Sequence, residues 1–257
     1  MDSIRPAHKL RLKTKVYIKR MPFLASIAGT SAFGRPPQRT TAPAVGGSIL
    51  FTASSTSGIS IPNSADVQMG TGDFTIEWFQ YQLAGTAQFH RVFSIGTWPS
   101  PSIAMSQEGT ETSKSIYVWA SSGAQQGTAR NLQGAWYHFA ITRASGSLRV
   151  FLNGTQIGTT AANSTNFNDA SNVLRIGNES TTSAGSAFNG YITNFHWVKG
   201  TALYTANFTR PSQPITPVAN TKLLLRATTS GTVLDDSSGT GKVATGTGTA
   251  WNSLSPF

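Results

Sequence analysis

From Gly46 onward, apolar and polar residues alternate in short segments, and turn-forming residues separate these segments about every 8 to 15 positions. Alternation of this kind puts every second side chain on one face, as in a β-strand. No segment shows the 3.6-residue period of an amphipathic helix. The pattern predicts an all-β fold. Its clearest strands cover residues 48–53, 73–83, 91–96, 115–121, 136–143, 147–153, 172–178, 190–200 and 221–227, with a final edge strand around Ala250 and Trp251 that lies near the N-terminal strand.

The strongest local signal is SLRVFLNGTQIGTT, residues 147–160. Apolar and polar side chains alternate over residues 148–153, and a second alternating run starts at Gln156. Between the runs, Asn153 and Gly154 are the residue pair that most readily adopts the two positive φ angles of a type I′ turn. The segment therefore predicts a β-hairpin with its tip at these two residues.

Two further segments carry several aromatic residues each. In the first, a tight entry at residues 70–73 is expected to present three side chains to the core: Phe74, Trp78 and Phe79. In the second, the period of two, with one irregular step, predicts one face that holds Tyr191, Phe195 and Trp197. Strands with aromatic residues on both faces are typical of a buried sheet.

Charge is unevenly distributed, although the chain as a whole has a net charge of +10. Residues 46–257 hold 11 basic and nine acidic residues, whereas residues 1–45 hold nine basic residues against Asp2. The basic character therefore belongs to a predicted N-terminal arm and linker, residues 1–45. Its cationic residues are Arg5, Lys9, Arg11, Lys13, Lys15, Lys19, Arg20, Arg35 and Arg39.

The arm has two interpretations. Residues 9–20 alternate between apolar and basic side chains, so they can add as a strand to another sheet, or they can remain a solvated tail. Residues 21–45 are rich in Pro and Gly and predict an extended linker, and Met21 is an alternative start of translation. The chain has no cysteine and no apolar run long enough to span a membrane.

Five segments in a fixed order resemble the laminin-G-like branch of the concanavalin A-like lectin/glucanase family, of the kind found in tail, fibre and capsid-associated proteins of phages and large viruses. They are ILFTASSTSGISIPNSADVQMGTGDFTIEWF, WYHFAITRASGSLRVFLNGTQIG, LRIGN, FNGYITNFHWVKGTALYTANFTRPSQPIT and TKLLL, within residues 46–235. The resemblance implies an antiparallel, two-sheet jelly-roll β-sandwich over residues 46–257, preceded by the extended basic arm.

Catalysis is not expected from these residues. Asp73 and Glu77 are the only close acidic pair on one predicted strand, and four residues of strand separate them by about 13 Å, which is too far for a glycosidase pair. Glu108, Glu111, Asp235 and Asp236 lie in turn-like segments and are interpreted as solvated loop acids. His138 and His196 lie within predicted strands and are interpreted as structural residues, and no histidine has the spacing of a metal ligand.

Carbohydrate binding is better supported. Trp98 stands between Thr97 and Pro99 in a predicted loop, where it can either pack against a sugar ring or fold over the edge of the core. Asn63 and Asp66 are candidate partners for sugar hydroxyl groups. No cofactor is expected, although some laminin-G-like modules bind Ca²⁺, and the resemblance makes Asn63, Asp66 and Asp169 candidate ligands here.

These observations predict a non-enzymatic virion structural protein, located in a capsid, fibre or tail and anchored in a larger assembly by its basic arm. The arm's partners would be other virion proteins or nucleic acid. The alternative is a carbohydrate-binding adhesin that recognises host-surface glycans and lies at the extracellular surface.

Overall fold

The computed structural model describes residues 46–85, 89–120, 123–179 and 186–257. The predicted arm and linker, with Arg5, Lys9, Arg11, Lys13, Lys15, Lys19, Arg20, Arg35 and Arg39, lie outside the described residues. The described residues contain no α-helix, and accordingly no helix that could cross a membrane. The strands there are β1 (Ser48–Thr52), β2 (Gly58–Ile61), β3 (Phe74–Gln82), β4 (Phe89–Ile95), β5 (Ile103–Thr110), β6 (Ser113–Ala120), β7 (Gly123–Arg130), β8 (Trp136–Ala144), β9 (Ser147–Leu152), β10 (Thr155–Ala162), β11 (Leu174–Ile176), β12 (Asn189–Lys199), β13 (Thr221–Leu225), β14 (Thr245–Thr247) and β15 (Thr249–Asn252).

These strands form two antiparallel sheets. The first sheet has the order β10-β9-β8-β3-β12-β1-β15, and β13 also pairs with β12. The second sheet has the order β14-β2-β11-β4-β5-β6-β7. The prediction of an all-β, two-sheet sandwich is confirmed for this part of the chain, and β15 is the edge strand beside β1 that the sequence predicted.

The main core lies between the two sheets and is built largely from aromatic rings. Trp78 of β3 stacks on Phe139 of β8 at 5.3 Å between centroids. Phe93 of the second sheet makes edge-to-face contacts with Trp78 and Trp197, at 5.7 and 5.8 Å between ring centroids. All four rings are fully buried. Interlocking rings of this kind bury large apolar areas and fix the two sheets against each other.

The outer face of the first sheet is also covered, because residues 200–220 and the C-terminal segment pack on it. Phe151 meets Phe208 at 5.3 Å on this face. Phe79 meets Phe257 at 4.9 Å and belongs to a second, smaller cluster with Ile215. The prediction that Phe79 points into the same core as Trp78 is therefore wrong, since adjacent residues of a strand face opposite sides.

Strand β12 contains the irregular step that the sequence indicated, at Asn194. This residue has a φ of 53°, and the register with β3 shifts between Thr193 and His196. Because an extra residue reverses the alternation, Ile192 shares the core face with Phe195 and Trp197. The prediction that Tyr191 occupies this face is wrong. Its ring lies 6.0 Å from that of Tyr81 and outside the main core.

The predicted hairpin is confirmed at Asn153 and Gly154, which have φ angles of 49° and 81°. They join β9 to β10, and Leu152 pairs with Thr155 across the turn. Asn153 also accepts a hydrogen bond on Oδ1 from the backbone N–H of His138, at 2.8 Å. The tip is therefore fixed to β8 as well as by its own turn.

Arg143, at the end of β8, holds together the loops at one rim of the sandwich. Its guanidinium lies between two rings, 5.1 Å from the centroid of Phe74 and 4.7 Å from that of Phe167. It donates to the carbonyl oxygens of Gly70, Gly72 and Thr165 and to Asn163 Oδ1, at distances from 2.6 to 3.0 Å. A fully buried cation is tolerated here because so many acceptors surround it.

Candidate functional site

The outer face of the second sheet is where polar and aromatic side chains converge. Alternation along β6 puts Ile116 and Val118 in the core and Tyr117 and Trp119 on the outer face. The rings of Tyr117 and Trp119 stack, with 5.4 Å between centroids and 16° between planes. We call the region formed by Arg91, Trp98, Glu108, Tyr117 and Trp119 the aromatic face.

Trp98 lies in a turn after β4, as the sequence predicted, and extends over the aromatic face. Gly96 lets the chain turn with a φ of 87°, and Ser102 N–H then donates to Ile95 O at 2.8 Å to close the loop. The Trp98 side chain contacts the ring of Trp119 at 4.8 Å between centroids and leaves 48% of the residue exposed. It lies outside the main core cluster.

Arg91 forms the centre of the polar network beneath these rings. Its Nη1 donates to Glu108 Oε1 at 2.8 Å and its Nε donates to Glu179 Oε2 at 3.0 Å. The guanidinium also lies 5.3 Å from the Trp98 ring centroid. With 5% of its surface exposed, Arg91 is held by these partners and has little contact with solvent.

Glu108 lies within β5, so the prediction that it is a solvated loop acid is wrong. Its Oε1 accepts from Ser106 Oγ at 2.7 Å as well as from Arg91, and Trp119 Nε1 donates to Ser106 Oγ at 2.8 Å. This chain of hydrogen bonds orients the Trp119 indole. The carboxylate side chain keeps 18% of its surface exposed, beside the rings.

The other predicted carbohydrate ligands lie elsewhere. Asn63 Nδ2 donates to the carbonyl oxygens of Asp169 and Ala170, at 3.2 and 2.5 Å, and thereby joins two rim loops. Asp66 forms ion pairs with Lys242 at 2.5 Å and with Lys222 at 3.5 Å. The hydrogen bond and the charge of Lys242 lower the pKa of Asp66. The structure does not bring either residue into contact with Trp98.

The same contacts determine whether the predicted residues fit a Ca²⁺ site. Asp169 Oδ1 accepts from the backbone N–H groups of Ser171 and Asn172, at 3.0 and 3.2 Å, so its carboxylate closes its own turn. The carboxylate of Asp66 is occupied by two lysines. Within the described ranges, no group of three or more His, Cys, Asp or Glu side chains could hold a metal ion. The predicted donors therefore do not fit a calcium site.

His138 and His196 surround Glu77 beneath the covering segment of the first sheet. Glu77 Oε2 contacts His138 Nε2 at 3.0 Å and accepts from Tyr204 Oη at 2.9 Å. Its Oε1 contacts His196 Nδ1 at 2.8 Å. Burial alone would raise the pKa of Glu77, but the hydrogen bonds and charges of the two histidines outweigh it and lower the pKa to about 2. Burial and the Glu77 charge raise the pKa of Tyr204.

This cluster is structural, as the sequence indicated for the histidines. Glu77 is 1% exposed and His138 and His196 are fully buried, so no substrate reaches them. The acidic neighbour considered with Glu77, Asp73, instead accepts from the Ser145 N–H at 2.8 Å. Asp236 is likewise not a solvated loop acid, because its carboxylate accepts from the N–H groups of Leu224 and Lys242, at 3.0 and 2.9 Å.

Part of the aromatic face could have been found from the sequence. Residues 115–121 were predicted as a strand, and alternation alone puts Tyr117 and Trp119 on the same face. Nothing local, however, indicates that Arg91 of β4 lies opposite Ser106 of β5. That pairing depends on the sheet order, and β5 itself was not predicted.

Comparisons with known proteins agree with this architecture. A laminin G family model, described as the concanavalin A-like lectin/glucanases superfamily, matches residues 53–204, more than half of the chain. No curated protein matches the chain significantly.

Two solved structures resemble the chain at low sequence identity. A Bacteroides ovatus protein to which carbohydrate binding has been attributed has a TM-score of 0.62 at 15% identity, covering 79% of this chain and 59% of its own. The native heptameric SAP-like pentraxin of Limulus polyphemus has a TM-score of 0.55 at 14% identity, covering 82% of this chain and 97% of its own. Such identities show a shared fold alone. The chain spans less than two thirds of the length of the Bacteroides ovatus protein.

Proposed function

Because the chain belongs to the concanavalin A-like lectin/glucanases superfamily, we propose that residues 46–257 form a non-enzymatic, carbohydrate-binding domain whose ligand lies on the aromatic face. The observation that carries this proposal is the position of Trp98. Its ring is half exposed, packs against Trp119 and lies over Arg91, which binds the partly exposed carboxylate of Glu108. The attribution of carbohydrate binding to the similar Bacteroides ovatus protein supports the same function.

The chemistry of this face suits a sugar ring. The C–H groups of a pyranose pack against an aromatic ring, while nearby polar groups bind its hydroxyl groups. Trp98 provides the exposed ring, and Glu108 is an acceptor for hydroxyl hydrogens. The Trp119 indole N–H is already directed to Ser106 Oγ, so Trp119 supports the site through packing.

The proposal includes no hydrolysis. A glycosidase needs one carboxyl group that donates a proton and a second that acts as a base or nucleophile. On the aromatic face, Glu108 and Glu179 are both paired with Arg91. Both carboxylates are therefore engaged with the same guanidinium, which is not the arrangement of a glycosidase pair.

A polysaccharide array tests the function and the site together. We expect the purified chain to bind at least one polysaccharide, and Trp98→Ala to lower that affinity by about tenfold or more. Trp98→Phe keeps an aromatic ring and is expected to retain most of the binding. Val243→Ala, at an exposed position on another loop, is the control for handling effects. Binding that survives Trp98→Ala would refute this site, and binding to no glycan would refute the function.

A second function concerns the arm, and one sequence feature favours it. Residues 1–45 have a net charge of +8, whereas the rest of the chain has +2. We propose that this basic segment anchors the domain in a larger assembly, such as a virion capsid, fibre or tail, through other virion proteins or nucleic acid. An adhesin at an extracellular surface would use the same sandwich without this anchor.

Deletion of residues 1–45 separates these two roles. The truncated chain is expected to stay out of particles while it keeps its glycan binding, and normal incorporation would refute the anchoring role. The affinity of the intact chain for nucleic acid should fall steeply as the salt concentration rises if phosphate contacts dominate.

The mass of the intact protein shows whether the product starts at Met1 or at Met21.

A further inference from the structure

Arg91 is a cation in contact with Trp98, and a free guanidinium in this position would attract an acidic sugar. Its guanidinium carbon lies 5.3 Å from the Trp98 ring centroid. Both sides of the guanidinium are nevertheless occupied, since Nη1 binds Glu108 and Nε binds Glu179. With 5% of its surface exposed, Arg91 offers little contact to a ligand. It therefore neutralises the two carboxylates and does not act as a free anion receptor.

The charges around Trp98 sum to a negative value. Two carboxylates, Glu108 and Glu179, share the guanidinium of Arg91. Lys114 also interacts with Glu108 and with Glu111, so these five side chains carry three negative and two positive charges and sum to −1. The neighbouring stretches 86–88, 121–122 and 180–185 contain no Asp, Glu, Lys or Arg in the sequence, so they add no charge.

Another cation on the same outer face is Arg175 of β11, which donates to Ser60 Oγ at 3.2 Å. In the sheet order, β4 and β5 separate β11 from β6, which carries Trp119. Three strand spacings amount to about 14 Å. This exceeds the Debye length of about 8 Å at physiological ionic strength, so Arg175 contributes little to the field at Trp119. Its hydrogen bond to Ser60 directs the guanidinium toward β2, on the side of β11 away from β4 and the Trp98 loop.

We infer that the aromatic face accepts neutral glycans and rejects glycans that carry carboxylate or sulfate groups. The inference rests on the carbohydrate-binding function proposed above and specifies its ligand class. A carboxylate side chain only accepts hydrogen bonds, so Glu108 favours hydroxyl groups and repels anions. An acidic group next to Trp98 would approach a negative charge and lose water without gaining a free cation.

Pairs of polysaccharides with the same backbone give the sharpest test. Suitable probes are hydroxyethylcellulose with carboxymethylcellulose, dextran with dextran sulfate, and unsubstituted xylan with glucuronoxylan. Because residues 1–45 are basic, binding is measured on the full chain at about 0.3 M salt, which screens exposed charges more than partly buried ones. Binding to the aromatic face is defined as the part that Trp98→Ala removes.

The wild-type chain is expected to bind the neutral member of a recognised pair at least about tenfold more tightly than its acidic counterpart. Glu108→Gln removes one negative charge and is expected to reduce this preference by about three- to tenfold. Glu179→Gln removes the other negative charge and leaves the hydrogen bond between Trp119 and Ser106 in place. It should also reduce the preference for the neutral polysaccharide, even if Glu108→Gln does not fold. The matched control is Asp235→Asn, an exposed acidic residue after β13, which should leave the preference unchanged.

Three results would overturn the inference in different ways. Trp98-dependent binding of the acidic member that equals or exceeds binding of the neutral member refutes the charge selectivity alone. A preference that stays unchanged in both Glu108→Gln and Glu179→Gln refutes the role of these carboxylates. If no polysaccharide shows Trp98-dependent binding, the proposed carbohydrate site itself is wrong, and the inferred preference for neutral glycans is refuted as well.

Discussion

The ring of Trp98 stands at 81° to the ring of Trp119, with 4.8 Å between their centroids. This edge-to-face contact joins a loop residue to a strand residue of the second sheet, and Tyr117 stacks on the ring of Trp119. Contacts of this geometry contribute about 0.5–1.5 kcal/mol beyond the area that they bury. Trp98 is therefore held in place before a ligand arrives, although nearly half of it is exposed.

Replacing Arg143 is expected to destabilise the whole sandwich. Arg143→Met keeps apolar contact with Phe74 and Phe167 but removes the guanidinium donors from the carbonyl oxygens of Gly70 and Gly72, of which Gly70 O keeps only the N–H of Phe167. We expect the free energy of unfolding to fall by about 3–5 kcal/mol, measured by urea denaturation. Arg149→Met is the control, because that residue is half-buried and reaches only Ser147 O at 3.4 Å; its change should stay within about 0.5 kcal/mol.

The Glu77 cluster predicts acid sensitivity at low pH. Folding lowers the pKa of Glu77 from 4.5 to about 2. A depressed carboxyl pKa stabilises the folded state above the unfolded value, and this stabilisation is lost as the pH falls from 4.5 towards 2. We expect Glu77→Gln to unfold at lower urea concentration at pH 7, and the difference from wild type to shrink as the pH approaches 2. A difference that does not change with pH would contradict this prediction.

His90 predicts a separate loss of stability at milder pH. Burial, together with the charge of Lys114, lowers its pKa from 6.5 to about 4. Below pH 6.5 the unfolded chain binds a proton that the folded chain excludes until about pH 4, so stability falls over this range. The difference of about 2.5 between the pKa values corresponds to about 3 kcal/mol. The free energy of unfolding of His90→Gln should therefore fall less between pH 7 and pH 4 than that of the wild-type chain, measured by urea denaturation at several pH values. An equal fall in both proteins would contradict this prediction.

Gly154 is expected to tolerate no side chain, for a reason beyond its φ angle. An added Cβ would overlap the carbonyl oxygen of Phe208, which lies on the segment covering the first sheet. Gly239 also has a positive φ, of 84°, but nothing lies within 4 Å of its added Cβ. Gly154→Ala should therefore cost about 2 kcal/mol more than Gly239→Ala in thermal or urea unfolding. Equal losses would mean that Phe208 does not pack against the hairpin tip.

The features that the sequence predicted correctly are the local ones. The hairpin at Asn153 and Gly154 follows from two adjacent residues that favour positive φ angles. Most long strands with clear alternation were likewise predicted, because a half-buried strand needs no information beyond its own residues. The strands that were missed, β2, β5, β7 and β14, are short or rich in Ser, Gly and Gln, so their pairing depends on neighbouring strands.

The features that could not be predicted depend on long-range packing. Alternation puts Phe79 on the face opposite Trp78, but nothing in residues 73–83 indicates the covering segment that buries this outer face. Tyr191 was assigned to the wrong face because the extra residue that reverses the alternation is Asn194, whose conformation is fixed by the sheet. The aromatic face shows the same limit: Trp98 was found as a loop residue, but its partners on β4 and β5 come from the order of the strands.

The most direct test of the aromatic face uses the six tryptophans of the chain, each of which has one indole N–H signal in a two-dimensional NMR spectrum. A neutral polysaccharide fragment that binds is titrated into the isotopically labelled chain, and the signals are assigned by single Trp→Phe variants. We predict that the signals of Trp98 and Trp119 shift, while those of Trp78, Trp136, Trp197 and Trp251 stay in place. Shifts confined to Trp136 or Trp251, with Trp98 unmoved, would contradict the account.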